Sequence, residues 1–207
     1  TEAKMPAYSV TDTAANLAAA VADPDKLALL DAATSVALTG NATVAQVAAI
    51  NTALAGELAN TFTLSDTAAN LVAAASDSPT GAQNALGDAA SIVVTAATTI
   101  ADIGTINGVA GLTLGTTLTY ALNDTAANLA NGGNATTVDQ ATTVTVSGTA
   151  TVAEIGAITS ASGTDIVYSI KDSVAELYQN PAALAAAVHV TLEDTVSALQ
   201  GANGLTA

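Results

Sequence analysis

Eight times along 207 residues an apolar-x-apolar strand signal is followed by a hydroxyl residue placed as a helix N-cap, and this recurrence restricts the fold more than any single residue does. In the first type of segment the signal is Tyr8, Val10, Asp12, Thr13, Asn16 and Leu17; it returns nearly letter for letter from Phe62 to Leu71 and from Tyr120 to Leu129. Looser copies run from Tyr168 to Leu177 and from Val190 to Leu199. A second type lies between them, at Val36 to Val47, Ile92 to Ile103 and Val144 to Ile155. The cap positions are Thr13, Thr43, Thr67, Thr99, Thr125, Thr151, Ser173 and Thr195, spaced 22 to 32 residues apart, the size of one coil of a stacked repeat.

A Ser or Thr at the N-cap accepts a hydrogen bond from an orphan backbone N–H, and a Glu or Gln three positions later returns one. Thr43 has Gln46, Thr151 has Glu154 and Ser173 has Glu176; Asp102, Asn16, Asn70 and Asn128 hold the same position elsewhere. Pairs such as Val47 and Ile50, Ile103 and Ile106, or Ile155 and Ile158 then share one helical face. Helices this short do not persist alone, so stacking has to stabilise them. The expected fold is α/β: a single solenoid over 1–207 of about eight strand-turn-helix coils, starting near 8, 36, 62, 92, 120, 144, 168 and 190. Neighbouring strands pair in parallel along one face. Ala dominates the apolar half of the composition and aromatic residues are 2%, which predicts a thin core with helix and sheet packed closely.

Three Lys, no Arg and 18 acidic residues give a net charge of −15. Nucleic acid is excluded as a partner, because binding it rests on cationic neutralisation of phosphates, and an anionic membrane surface is disfavoured for the same reason. The absence of Cys removes disulfide and thiol chemistry. Apolar stretches are broken by Asp, Asn, Pro or Gly short of a membrane span, so no transmembrane segment is expected. Neither end reads as a polar solenoid cap, which points to a segment of a longer array or a subunit that stacks on its neighbours.

No catalytic constellation emerges, and no enzymatic activity is expected. The one histidine, His189, lies in a strand pattern that turns Val188, Val190 and Leu192 inward and His189 to the surface. Asp12, Asp66, Asp124, Asp172 and Asp194 recur immediately before the cap in every first-type segment, where the second type has Ala42, Thr98 and Ala150. One reading is a turn carboxylate that bonds nearby N–H groups and favours the helix N-terminus. The other is calcium, with Asp12, Asp66, Asp124 and Asp172 among the oxygen ligands such an ion needs. The stretches from Asp23 to Asp25 and from Ser76 to Pro79 read as solvated loops that also offer oxygens, and Gly104, Gly108, Gly111 and Gly115 as turn punctuation. Outward strand positions, Thr11, Thr39, Thr63, Thr95 and Thr145 among them, form a face of small, mostly hydroxyl residues suited to lateral packing, glycan or ice.

The string Asp-Thr-Ala-Ala-Asn-Leu, at 12–17, 66–71 and 124–129 in an Ala/Thr/Val/Gly-rich, Cys-free setting, resembles repeats of large secreted bacterial surface proteins of the S-layer and adhesin kind. The resemblance implies an extracellular or cell-surface structural module, a surface layer, fibre or stalk that associates with copies of itself. It implies no cofactor beyond calcium. The alternative is a binding module that takes calcium, glycan or ice through the Asp row or the Thr/Ser face.

Overall fold

Strands form where β-branched and aromatic residues alternate with small polar ones, and helices begin where a hydroxyl follows. The structure, a computed structural model, describes residues 7–55, 58, 62–77, 81–109 and 117–195. Ser78, Pro79, Gly111, Gly115 and the helix expected after Thr195 lie outside them. Its first segment is β1 (Ser9–Thr13), α1 (Ala14–Val21) and α2 (Pro24–Asp31). The second is β2 (Ser35–Thr39), β3 (Asn41–Ala42) and α3 (Val44–Ala53). Then come β4 (Thr63–Asp66), α4 (Ala68–Ser76) and α5 (Gly81–Asp88), followed by β5 (Ser91–Val94), α6 (Ile100–Asn107) and β6 (Thr117–Thr119). The remainder is β7 (Leu122–Thr125), α7 (Ala126–Leu129), a 3-10 turn at Gly132–Asn134, α8 (Ala135–Asp139), β8 (Val144–Ala150), α9 (Val152–Ala161), β9 (Ile166–Asp172), α10 (Val174–Gln179), α11 (Pro181–Ala186) and β10 (His189–Leu192).

All strand pairs between these elements are parallel. They form a two-stranded sheet β1-β2 and two four-stranded sheets, β3-β4-β5-β6 and β7-β8-β9-β10. The chain divides into two compact units, Thr1–Ala96 with Ala101–Thr119, and Ala97–Ile100 with Tyr120–Ala207. In the first unit Val36, Leu38, Leu64 and Ile92 from the strands and Phe62, just before β4, are buried with Leu17, Val47, Ile50 and Leu71 from the helices. In the second, Leu122, Val144, Val146, Tyr168 and Ile170 are buried with Leu129, Val138, Ile155 and Ile158. Parallel strands covered by short helices on the inner face account for this alternation.

The four first-type segments that open on an aromatic residue are closed at a common point. The residue leading into the next strand donates to the carbonyl of the aromatic residue that opens the segment: Thr34 to Tyr8, Ala90 to Phe62, Thr142 to Tyr120 and Val188 to Tyr168. The tyrosine hydroxyls reach across and donate to carbonyls of the second helix, Tyr8 to Leu29, Tyr120 to Thr137 at 2.8 Å and Tyr168 to Ala183 at 2.8 Å. A buried tyrosine needs such an acceptor.

Two expectations are corrected. Asp23 to Asp25 is not a loop: Asp23 is the N-cap of α2, its carboxylate accepting from Asp25 and Lys26 N–H, with Pro24 at the first helical position. Pro is suited to that place because its missing N–H is an orphan there anyway. Val188, Val190 and Leu192 are exposed rather than inward, at 59%, 46% and 48%. Among the described residues β10 is the last strand of its sheet and pairs with β9 alone, so its apolar side has less to pack against there than the inner strands have.

The second-type segments carry a jog between strand and cap. β2 pairs with β1 as far as Thr39; after Gly40, at φ 73, Asn41 and Ala42 pair with Thr63 and Leu64 instead. In β8 the register against β9 shifts between Thr145 and Thr149, around Gly148 at φ 80. Glycine adopts this left-handed conformation without a Cβ penalty. After β5 the same level is regained at Thr98, which bridges Leu122.

Candidate functional site

The N-caps are formed by local chemistry. Thr13, Thr43, Thr67, Thr125, Thr151 and Ser173 are extended residues whose hydroxyls accept from the N–H three positions on, at 3.2 to 3.3 Å. Thr43 with Gln46 and Thr151 with Glu154 complete reciprocal capping boxes. Thr99 directly precedes α6, and the residues after Thr195 lie outside those described.

The carboxylate before the cap works in two directions. One oxygen stays within its own segment: Oδ1 of Asp12, Asp66, Asp124, Asp172 and Asp194 accepts the N–H of the cap residue itself at 2.7 to 2.8 Å. In the three closest copies the same oxygen also takes the side-chain amide of Asn16, Asn70 or Asn128, at 2.7 to 2.8 Å. The other oxygen reaches back to the preceding segment. Oδ2 of Asp66 accepts from Val44 N–H at 3.0 Å, Asp124 from Ile100 at 3.0 Å, Asp172 from Val152 at 2.9 Å and Asp194 from Val174 at 3.1 Å. Each of these donors is the first residue of a helix, an orphan N–H at the positive end of the helix dipole. Such a carboxylate fastens one segment to the next.

Register makes this possible. In all four cases the residue before the upstream cap is level with the residue two before the downstream Asp: Ala42 with Leu64, Thr98 with Leu122, Ala150 with Ile170 and Asp172 with Leu192. Asp66 and Asp124 are buried, at 7% and 6% exposure, and both are held by N–H donors. A buried anion is tolerated on that condition. Asp12 opens the series. Asn16 and then the Thr13 N–H hold its carboxyl below the ordinary 3.8. Asp23 is likewise lowered, by its hydrogen bonds with Lys26 and the 3.1 Å ion pair to the same side chain. Burial pushes the Tyr120 and Tyr168 hydroxyls up.

As metal ligands Asp12, Asp66, Asp124 and Asp172 are not brought together; among the described residues no group of three or more His, Asp or Glu side chains converges on one point. Of the five threonines of the outward face, Thr11, Thr39, Thr63 and Thr145 are distributed over the three sheets and Thr95 lies just beyond a strand. Thr11 stands beside Ala37 and Thr39 beside Thr13. Thr63 pairs with Asn41 and Ser91, its hydroxyl 2.7 Å from that of Ser91. Thr95 follows β5 and donates its N–H to the Asp66 carbonyl, while Thr145 lies between Asn123 and Val167. His189 is exposed on β10 beside Ser169. Lys171 and Glu193 form an ion pair of 2.9 Å on the neighbouring positions.

Sequence reasoning placed the Asp row but missed its backbone partners, Val44, Ile100, Val152 and Val174, because a backbone N–H carries no residue signature. The usable signal is the spacing: Asp66, Asp124, Asp172 and Asp194 each follow a segment that supplies a helix start at the matching level. Among the described residues no helix is long and apolar enough to cross a membrane. No family model, curated protein or solved structure matches the chain.

Proposed function

We propose that this chain is a non-enzymatic structural module of an extracellular bacterial surface layer, fibre or adhesin stalk, its eight segments wound as coils of one α/β solenoid that associates with copies of itself. The observation that carries this reading is the two-directional carboxylate. At four joints the acidic side chain that could have served a ligand is instead bonded to the first N–H of the preceding helix. Side chains used in this way make a load-sharing stack, in which each segment holds its neighbour. The acidic, Cys-free composition suits a protein kept soluble outside the cell.

Electron microscopy of the purified protein over a salt series tests it. Rods, sheets or filaments that grow as salt screens the acidic charge support the assembly role. Separate compact particles at every salt and protein concentration contradict it.

A further inference from the structure

A groove of about 670 Å3 opens between α9 and α11 in the second unit, a volume within the roughly 300 to 1,000 Å3 of small-molecule sites. Its floor is apolar, with Ile155 and Tyr168 both buried. The facing helices present small residues to it, Gly156 from α9 and Ala183 from α11, and this leaves the space. A Cβ added at Gly156 would meet nothing within 4 Å. The mouth offers hydrogen-bond acceptors. Thr159 and Ser160 donate their hydroxyl protons to the Ile155 and Gly156 carbonyls, both at 2.8 Å, and the Tyr168 hydroxyl gives its own to Ala183 at 2.8 Å. A hydroxyl that has placed its one proton can only accept. Asp165 lies at the same mouth, exposed, and its carboxylate accepts no hydrogen bond among the described residues. α9 ends beside it with no basic residue in its last turn, so the negative end of that helix meets no cation of its own. None of the residues lining the groove is Lys, Arg or His.

We propose that this groove binds a small organic ammonium ion, a protonated amine carrying an apolar body. The body lies over Ile155 and Tyr168, and the ammonium donates at the mouth to the Asp165 carboxylate and the Thr159 and Ser160 oxygens. An ammonium group brings donors and no acceptor, the complement of what the mouth presents. An organic anion would meet acceptors and a like charge in the same place, which selects against it. This binding goes beyond the structural role proposed above and does not depend on assembly.

Titration with phenethylamine, followed by backbone amide chemical shifts, tests it. Saturable shifts are expected at Gly156 and Ala183. Phenylacetate, similar in shape but negative, should produce none. Methylammonium, which lacks the apolar body, should bind at least about tenfold more weakly, the worth of burying such a body. Gly156→Leu fills the groove from an open position and should abolish the shift at Ala183 while the circular dichroism spectrum stays unchanged; Ala183→Leu, on the opposite wall, is the second blocking variant. Asp165→Asn should weaken binding about threefold to fivefold, the range of an exposed ion pair. Shifts that never saturate and are equal for methylammonium would reduce the effect to the net charge of −15 and overturn the site. Phenylacetate binding as well as the amine, or amine binding unchanged in both blocking variants, overturns it too.

Discussion

Two kinds of joint alternate along the chain as far as β9, and they are held differently. Where a first-type segment follows a second-type one, as at Ala42 and Leu64 or Ala150 and Ile170, strand pairing next to a jog is reinforced by an Asp oxygen on the upstream helix start. Where a second-type segment follows a first-type one, as from β1 to β2 or from β7 to β8, the strands pair over four or five residues. The position equivalent to the Asp is then Ala42, Thr98 or Ala150, all buried. One joint relies on a charge-assisted hydrogen bond across a jog, the other on an uninterrupted ladder and apolar burial. At the β9–β10 joint the two coexist: an uninterrupted four-residue ladder, and the Asp194 carboxylate on the Val174 N–H.

The largest expected effect separates the two uses of the Asp row. Asp66→Ala removes an acceptor from Val44, Thr67 and Asn70 in a buried setting, and should destabilise the protein by about 3 kcal/mol, the upper range for hydrogen bonds to a charged group. Among the described residues Asp12→Ala removes contacts within its own segment alone, and it should cost clearly less. Equal losses in urea unfolding of the two variants would erase the distinction between the inner carboxylates and the first.

The parallel strands were legible in the sequence because aromatic and β-branched residues alternate at Tyr8 and Val10, Phe62 and Leu64, or Tyr168 and Ile170. The caps were legible because Thr with Gln or Glu three residues on has a single physical use. The second helices, α2, α5, α8 and α11, were not read: their apolar faces are short, and the Asp23-Pro24 start resembles a turn until the following residues are seen to be helical. The dual role of the Asp was half legible. Its local hydrogen bond follows from the dipeptide Asp-Thr, whereas the bond to the previous segment depends on a register that the jogs at Gly40 and Gly148 set. The exposure of Val190 and Leu192 was hidden for a related reason, since period-two alternation says which residues share a face but not whether a layer covers it.

A smaller effect concerns pH. Asp12 has a folded pKa below its unfolded value, so its contribution is present above the unfolded value and is lost as pH falls through the folded one. Because the Asn16 amide is the largest cause, Asn16→Ala should raise the titration midpoint of the Asp12 carboxyl, read by carbon-13 chemical shifts, toward the ordinary 3.8. An unchanged midpoint would mean that the Thr13 N–H alone sets it.

Amide hydrogen exchange in Asp66→Asn addresses the joint itself, because the donor and the acceptor lie in different segments, 22 positions apart in sequence. The expected result is faster exchange of the Val44 amide, by about tenfold or more, with the Ala14 amide, which has no such carboxylate after it, left unchanged. Exchange altered only around Thr67 and Asn70, with Val44 protected as before, would contradict the account: the carboxylate would then cap its own helix and fasten nothing else.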